Sequence, residues 1–430
     1  MTWRNWAGDQ VCDPAETASP SNVDELSATI RMAGERGLDV RVAGAGHSFT
    51  PAVLTDGLLI SLERMDKVLD IDETSGLVRV EAGITLHSLN EHLDRRGRAL
   101  ENLGDIDVQS VAGATATGTH GTGTRLRNLS AGIESIELTL ADGSRIEVDE
   151  AGDPDDWRAA RVSIGALGVV SAMTLRTVPA FTLRALDAPK PLDEVLERID
   201  ELADDNDHFE FYSFPHSKLA NIRLNNRVEE APRPRSKLKG WIDDEFMVNG
   251  LYGSTRRLGR RFPAAIPLLN RIAARAWGTS HRMDRSYSIF ASPRKVRFTE
   301  MEYAIPRGHA VDAIRAVRAV ADRRELKVSF PIEVRFVAPD DAFLSPAGGR
   351  ETCYIAVHIY EGMEWYRYFQ EIESIMNGFE GRPHWGKRHF QSAETLRPRY
   401  PEWDRFAAVR DRLDPDRRFT NDYVRRVLGP

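Results

Sequence analysis

Apolar residues in the stretch 22–36 recur at helical spacing, with Leu26, Ile30 and Met32 towards one side and Ser21 or Asn22 placed to cap the first turn. Runs at 38–43, 58–62 and 77–82 read as strands, and a second helix at 86–95 is closed by Gly97. Ile133–Leu140 and Arg145–Val148 flank Ala141-Asp142-Gly143-Ser144, which signals a hairpin turn, and Val170–Leu175 is a further strand. This first α+β unit ends near Pro179. Beyond it, a helix at 192–202, strands at 209–214, 300–305, 327–337 and 352–360, and helices at 311–324 and 364–376 predict one antiparallel sheet packed under helices. No internal repeat or low-complexity tract interrupts the pattern.

Composition narrows the function. A chain of 430 residues holds two or three cores, and a net charge of −7 argues against a nucleic-acid partner. Two cysteines, Cys12 and Cys353, fit a reducing compartment without a disulfide framework. The first residues lack the apolar stretch of a signal peptide, and no run approaches the ~20 apolar residues of a membrane span, so a cytoplasmic location is expected. One segment stands apart: residues 246–278 mix Phe246, Met247, Leu251, Leu268, Leu269 and Trp277 with Arg256, Arg257, Arg260, Arg261, Arg271 and Arg275. Such a basic amphipathic stretch can lie on an anionic membrane or dock an acidic electron carrier, but a cap helix with a solvated charged face is the commoner outcome and the expected one.

Three glycine-rich segments carry the candidate chemistry. Residues 41–49, Arg-Val-Ala-Gly-Ala-Gly-His-Ser-Phe, put His47 on a turn straight after a strand, with Gly44 and Gly46 freeing the backbone to approach a ligand. A dinucleotide fingerprint fails here, because Phe49 stands where its third glycine belongs. Residues 110–124, Ser-Val-Ala-Gly-Ala-Thr-Ala-Thr-Gly-Thr-His-Gly-Thr-Gly-Thr, supply small hydroxyls and approachable N–H groups, a concave donor surface suited to a pyrophosphate. Residues 164–170, Ile-Gly-Ala-Leu-Gly-Val-Val, form the third. Later, Lys327–Val337 alternates so that Glu333, Arg335 and Val337 share one strand face; read alone, Glu333 and Arg335 are most simply a surface ion pair. Zinc at His384 and His389 is rejected, because no carboxylate or cysteine joins them at ligand spacing.

The order GAGHS, SVAGATATGTHGTG and GALGVV, with Asn5-Trp6-Ala7-Gly8 and His384-Trp385-Gly386-Lys387, resembles the vanillyl-alcohol-oxidase family of FAD-linked flavoproteins over nearly the whole chain. Within it the chain looks like the sugar-1,4-lactone (gulono-, galactono-, arabinono-lactone) oxidases and dehydrogenases, close to the alditol oxidases. The resemblance implies an α+β fold: a two-subdomain, PCMH-type FAD-binding domain at 1–178, an α+β cap domain with a helix-covered antiparallel sheet at 179–390, and a segment at 391–430 returning to the FAD domain. It also implies oxidation of a secondary hydroxyl by hydride transfer to flavin N5, with reoxidation by O2 or a cytochrome- or quinone-type carrier. The alternatives are an alditol oxidase and, from another class, a flavin-binding protein without this catalysis.

By the same resemblance, His47 is expected to bond the flavin covalently at its C8 methyl, since the chain keeps the histidine that non-covalent plant relatives replace with leucine. Val42, Ala43, Gly44, Ala45, Gly46, Ser48, Phe49, Asp105, Ser110, Gly113, Thr117, Gly118, Thr119, His120, Val169 and His384 are implied to bind the cofactor. Asp105, Glu333, Arg335, His358 and Lys387 are implied to bind substrate. Glu333 would hold substrate hydroxyls, and Arg335 would steady negative charge at flavin N1. A lysine beside Arg335 would have its pKa lowered by like charge and burial, making Lys387 a candidate general base. Gly104 leaves room for oxygen where oxygen-excluding relatives carry alanine. Asp105 replaces the serine of alditol oxidases, which favours lactones over open-chain polyols.

Overall fold

A computed structural model describes residues 2–236, 252–292 and 296–430, with backbone alone for 252–256. Asn22 caps the helix Val23–Glu35 by accepting the Glu25 N–H, while the Glu25 carboxylate accepts from Ser21. Leu26, Ile30 and Ala33 are buried, with Ala33 taking the place expected of Met32 because 26, 30 and 33 fall on one face. The helix is the crossover that lets Glu16–Ala18 and Val40–Ala43 both pair in parallel with Leu58–Ser61. A second, five-stranded antiparallel sheet follows, ordered 145–149, 133–139, 169–176, 77–81, 68–72. Its expected hairpin turns at Gly143, whose φ of +78° only glycine adopts easily.

The cap is one antiparallel sheet of eight strands, in the order Ser280–Arg285, Thr182–Pro191, Leu219–Val228, His208–Ser213, Ile332–Val337, Thr352–Tyr360, Phe298–Pro306 and Arg382–Pro383. One face buries Phe209, Phe211, Met301, Tyr303, Val334, Phe336, Ile355 and Val357 under helices Leu192–Glu197, Ile199–Asp204, Ala310–Ala321 and Tyr366–Gly378. Strand alternation sends Glu210, Tyr212, Glu300, Glu302, Glu333, Arg335, Tyr354 and His358 to the other face.

Three expectations are corrected. The strand expected from Lys327 begins only at Ile332, since Lys327 adopts φ +54° and Pro331 has no N–H to donate. The helix at 192–202 breaks at Arg198 into two. Strands Thr182–Pro191 and Leu219–Val228 went unpredicted because two prolines and repeated asparagines read as loop; Pro189 and Pro191 stand beyond the reach of the neighbouring strand Ser280–Arg285, where a missing donor is tolerated.

The tail brings Trp403, Phe406, Val409, Tyr423 and Val424 into the core that holds Val80 and Leu138. Arg41, fully buried, fastens this return: its guanidinium donates to the carbonyls of Ala52, Ile164, Gly165 and Phe419 at 2.8–3.0 Å. Burial lowers its pKa to about 10, so it stays charged at neutral pH. Arg41→Met should strand four carbonyls and lower stability by about 3 kcal/mol or more, read from the urea midpoint; an unchanged midpoint would show that they find other donors.

Candidate active site

Strand Val40–Ala43 delivers its C-terminal end to the loop 44–49, which is fixed from both sides. Trp6 donates its N–H to Gly46 O at 2.8 Å, Asn5 Nδ2 donates to Ser48 O at 3.0 Å, and Phe49 N–H donates to Gly386 O at 2.7 Å. Gly44 lies so close to Ser110 that a Cβ would come within 2.4 Å of its Oγ, so the first two glycine-rich segments touch. The His47 ring stacks on Trp6 with centroids 5.3 Å apart. Burial first, and the Lys387 charge second, push His47 down to about 4, leaving a neutral imidazole at pH 7.

The segment 110–124 differs from the expected hydroxyl-lined surface. Ser110 caps a short helix, Val111–Ala116, by accepting the Gly113 N–H. The Thr117 hydroxyl donates back to Gly113 O at 3.2 Å, and the Thr122 hydroxyl donates to Phe209 O at 2.5 Å and accepts from Phe336 N–H at 3.2 Å. Those groups join helix turns and cap strands. Thr119 accepts from Gln109 at 3.5 Å, Gly118 adopts φ +74°, and Val169 packs in the apolar core with Val40 and Leu58. A Cβ on Gly104 would meet His120 O at 3.3 Å.

Across the cap face runs a ladder of opposite charges. Arg335 pairs with Glu333 beside it, donates to Glu210 at 2.9 Å and reaches Asp105 at 3.7 Å. Glu210 also accepts from Arg223 at 3.2 Å and from the Tyr212 hydroxyl at 2.9 Å. On the other side, His358 Nε2 lies 4.0 Å from Glu333 and 3.4 Å from Glu300, which accepts from Lys387 Nζ at 2.5 Å. His120 stacks on Tyr354 at 3.6 Å and sets Nε2 3.3 Å from Glu302.

Two corrections follow. Lys387 has Glu300 at its ammonium, and although burial works to lower its pKa, Glu300 and Glu302 raise it. It therefore holds its proton at neutral pH. His384 does meet a carboxylate: the fold, not sequence spacing, puts ligand atoms of His120, Glu302 and His384 within 4.8 Å of one another. His384 Nδ1 accepts from Gly386 N–H at 3.0 Å, burial pushes its pKa down to about 3, and His389 lies elsewhere, bonded to Tyr423. Burial disfavours charge on Glu302, yet His120 holds its carboxyl well below the usual range.

Glu333 behaves differently. Burial, together with Asp105 and Glu210, pushes it up to about 7 against the pull of Arg335, because one guanidinium serves three carboxylates. Glu210, with Arg223 as a second partner, is held below the usual range even though burial opposes it. Sequence reasoning missed Glu210, Glu300 and Glu302; the only signal was that each alternates with apolar residues on a predicted strand.

The N–H groups of Ala45, Gly46, His47 and Ser48 donate to no acceptor among the described residues. Four successive free donors beside a neutral imidazole, opposite a face of charged groups, suit a cofactor with a pyrophosphate at one end and a polar ring at the other. FAD fits this donor set. The fold is that of a flavoprotein with a PCMH-type FAD-binding domain and an antiparallel cap: a solvent-stable cholesterol oxidase superposes with a TM-score of 0.84 at 18% identity, covering 100% of this chain and 97% of that one. Residues 14–149 match the FAD binding domain model, and residues 173–427 match the D-arabinono-1,4-lactone oxidase model. The chain belongs to this aldonolactone oxidase and dehydrogenase family. It is 53% identical over 428 residues to an L-gulono-1,4-lactone dehydrogenase of Mycobacterium tuberculosis, covering 100% of this chain and 99% of that protein. It is 32% identical to the L-gulonolactone oxidase of Mus musculus, over 100% of this chain and 98% of that one, and 30% identical to an alditol oxidase of a Streptomyces species, over 99% and 98%.

Because the folded protein takes up the Glu333 proton at about 7, against 4.5 for the ordinary side chain, its contribution to stability is full below 4.5 and is lost as pH rises to 7. Glu333→Gln should therefore gain in urea midpoint over the parent on going from acidic to neutral pH. A constant difference across that range would mean that Glu333 is ionised throughout.

Proposed function

We propose that this protein oxidises a secondary hydroxyl of a neutral sugar-1,4-lactone with FAD bonded to His47. Residues 1–178 and 391–430 would form the cofactor domain and 179–390 the substrate cap. Bound FAD supplies the acceptor for the hydride that leaves the substrate carbon. Everything else falls to the chain.

The observation that carries the reading is the charge ladder. Arg335, Arg223 and Lys387 are each already paired with the carboxylates Asp105, Glu210, Glu333 and Glu300, so the face holds no spare cation for a substrate carboxylate and suits an uncharged polyhydroxylated ring. Lys387, kept protonated by Glu300, is a donor that orients the reacting oxygen. Arg335 is held rigidly by its carboxylates and offers positive charge without reorganising. Glu333, pushed up to about 7, is poised to take and keep the hydroxyl proton near neutral pH. The neutral His47 ring, clamped by Trp6, is in the protonation state needed for a bond from a ring nitrogen. Gly104 keeps the edge of the site free of a side chain, which leaves oxygen as an acceptor alongside a carrier.

The substrate class is tested by anaerobic mixing with L-gulono-1,4-lactone, D-arabinono-1,4-lactone, xylitol and sorbitol. Bleaching of the flavin by the lactones, slowed at least a hundredfold in Lys387→Ala with FAD still bound, is the expected result. Bleaching by the polyols alone would make it an alditol oxidase, and none by any of the four would leave a flavin-binding protein. Acid precipitation tests the linkage: yellow colour should stay with a peptide containing His47 and be released from His47→Ala. Free FAD in the supernatant of the parent protein would rule the bond out.

A further inference from the structure

Helices Tyr252–Arg261 and Ile266–Ala276 form a hairpin at the cap, held close where Gly259 meets Ile266. Phe246, Met247, Leu251 and the Arg256 side chain lie outside the described residues. In the second helix Ile266, Asn270 and Ala274 face inward, and Asn270 Nδ2 donates to Val328 O at 2.9 Å. The opposite stripe, Leu268, Arg271, Ile272 and Arg275, follows the same helical spacing outward, and Arg261 and Phe262 extend it from the first helix. Phe262, Leu268 and Ile272 are 58%, 56% and 51% exposed. Together with Leu258 and Trp277 they make up most of the large apolar side chains left exposed among the described residues. No Asp or Glu stands between Tyr252 and Met283, in a chain whose net charge is −7.

We infer that this stripe docks on the surface of an anionic lipid bilayer, with the apolar side chains at the boundary between headgroups and acyl chains and the arginines on lipid phosphates. A helix with a solvated charged face would not set its apolar residues among its outward arginines. An acidic protein partner would account for the arginines but not for Phe262, Leu268 and Ile272 standing exposed among them. No helix among the described residues is long and apolar enough to cross a membrane, so the hairpin lies on the bilayer without spanning it. At its end Trp277 stacks on Tyr212 with centroids 5.3 Å apart, and the Tyr212 hydroxyl donates to Glu210 and, at 3.3 Å, to Glu333. The docked face thus borders the charge ladder.

Flotation of the flavin-loaded protein with vesicles separates the cases. Vesicles of phosphatidylcholine with phosphatidylglycerol should carry the protein at low salt, and added salt should release it. Pure phosphatidylcholine vesicles should leave it in solution. Each arginine removed should weaken partitioning about fivefold, so Arg271→Gln with Arg275→Gln should nearly abolish it. Leu268→Ser with Ile272→Ser should do the same, while flavin absorbance and reduction by substrate stay as in the parent. Failure of the parent protein to float with anionic vesicles, equal flotation with neutral ones, or undiminished flotation of either double variant would overturn the proposal. So would binding to polyglutamate without binding to anionic vesicles, which would point to an acidic protein.

Discussion

One guanidinium, that of Arg335, is shared by three carboxylates, and the candidate site is arranged around that shortage of positive charge. Buried ions are costly unless each is compensated, and here compensation is passed sideways: Asp187 to Arg223, Arg223 to Glu210, Glu210 to Arg335, Arg335 to Glu333, then through His358 to Glu300 and Lys387. The sheet makes this workable, because residues facing each other on neighbouring strands, Glu210 with Arg335 and Glu300 with His358, are brought side by side by register alone. A shift of one residue in any of these strands would exchange the charges for the apolar side chains that pack under the helices. Fold specificity and site electrostatics are therefore the same constraint seen from two faces of one sheet.

Much of this was legible beforehand. Period-two alternation exposed the strand bearing Glu333 and Arg335, and Gly44 and Gly46 marked the turn that follows the strand Val40–Ala43 and carries His47. Glu300 and Glu302 were on a predicted strand too, but acids alternating with apolar residues look the same whether their face meets water or another domain. Arg41, set between two valines, gave no hint that its partners would come from residues 52, 164, 165 and 419. The helix Val111–Ala116 escaped notice because glycine and threonine are poor helix formers; burial and the Ser110 cap override propensity there. What failed was long-range pairing, which no local pattern encodes.

The loop that carries His47 has few contacts of its own and borrows its rigidity. Asn5 and Trp6 hold it from the N-terminal side, Gly386 from the return of the cap, and Ser110 from the neighbouring helix cap. Asn5 and Trp6 take the loop's carbonyls and Ser110 a close approach, and only the Gly386 anchor takes a loop N–H, that of Phe49, so those of Ala45, Gly46, His47 and Ser48 stay available. Preorganised donors that meet no acceptor among the described residues have their cost of assembly met by folding, before anything binds.

The reach of Arg41 has a consequence for how the protein comes into being. Its charge sits on the strand that leads into the loop carrying His47, yet one of the carbonyls that satisfy it belongs to Phe419, 378 positions further along the chain. During synthesis the N-terminal unit can collapse as soon as its strands have left the ribosome, but it does so around an incompletely paired cation. The strand leading into the His47 loop has its full set of partners only once residues near 419 have folded back onto it. Settling of the N-terminal unit thus waits on a segment remote from it in sequence.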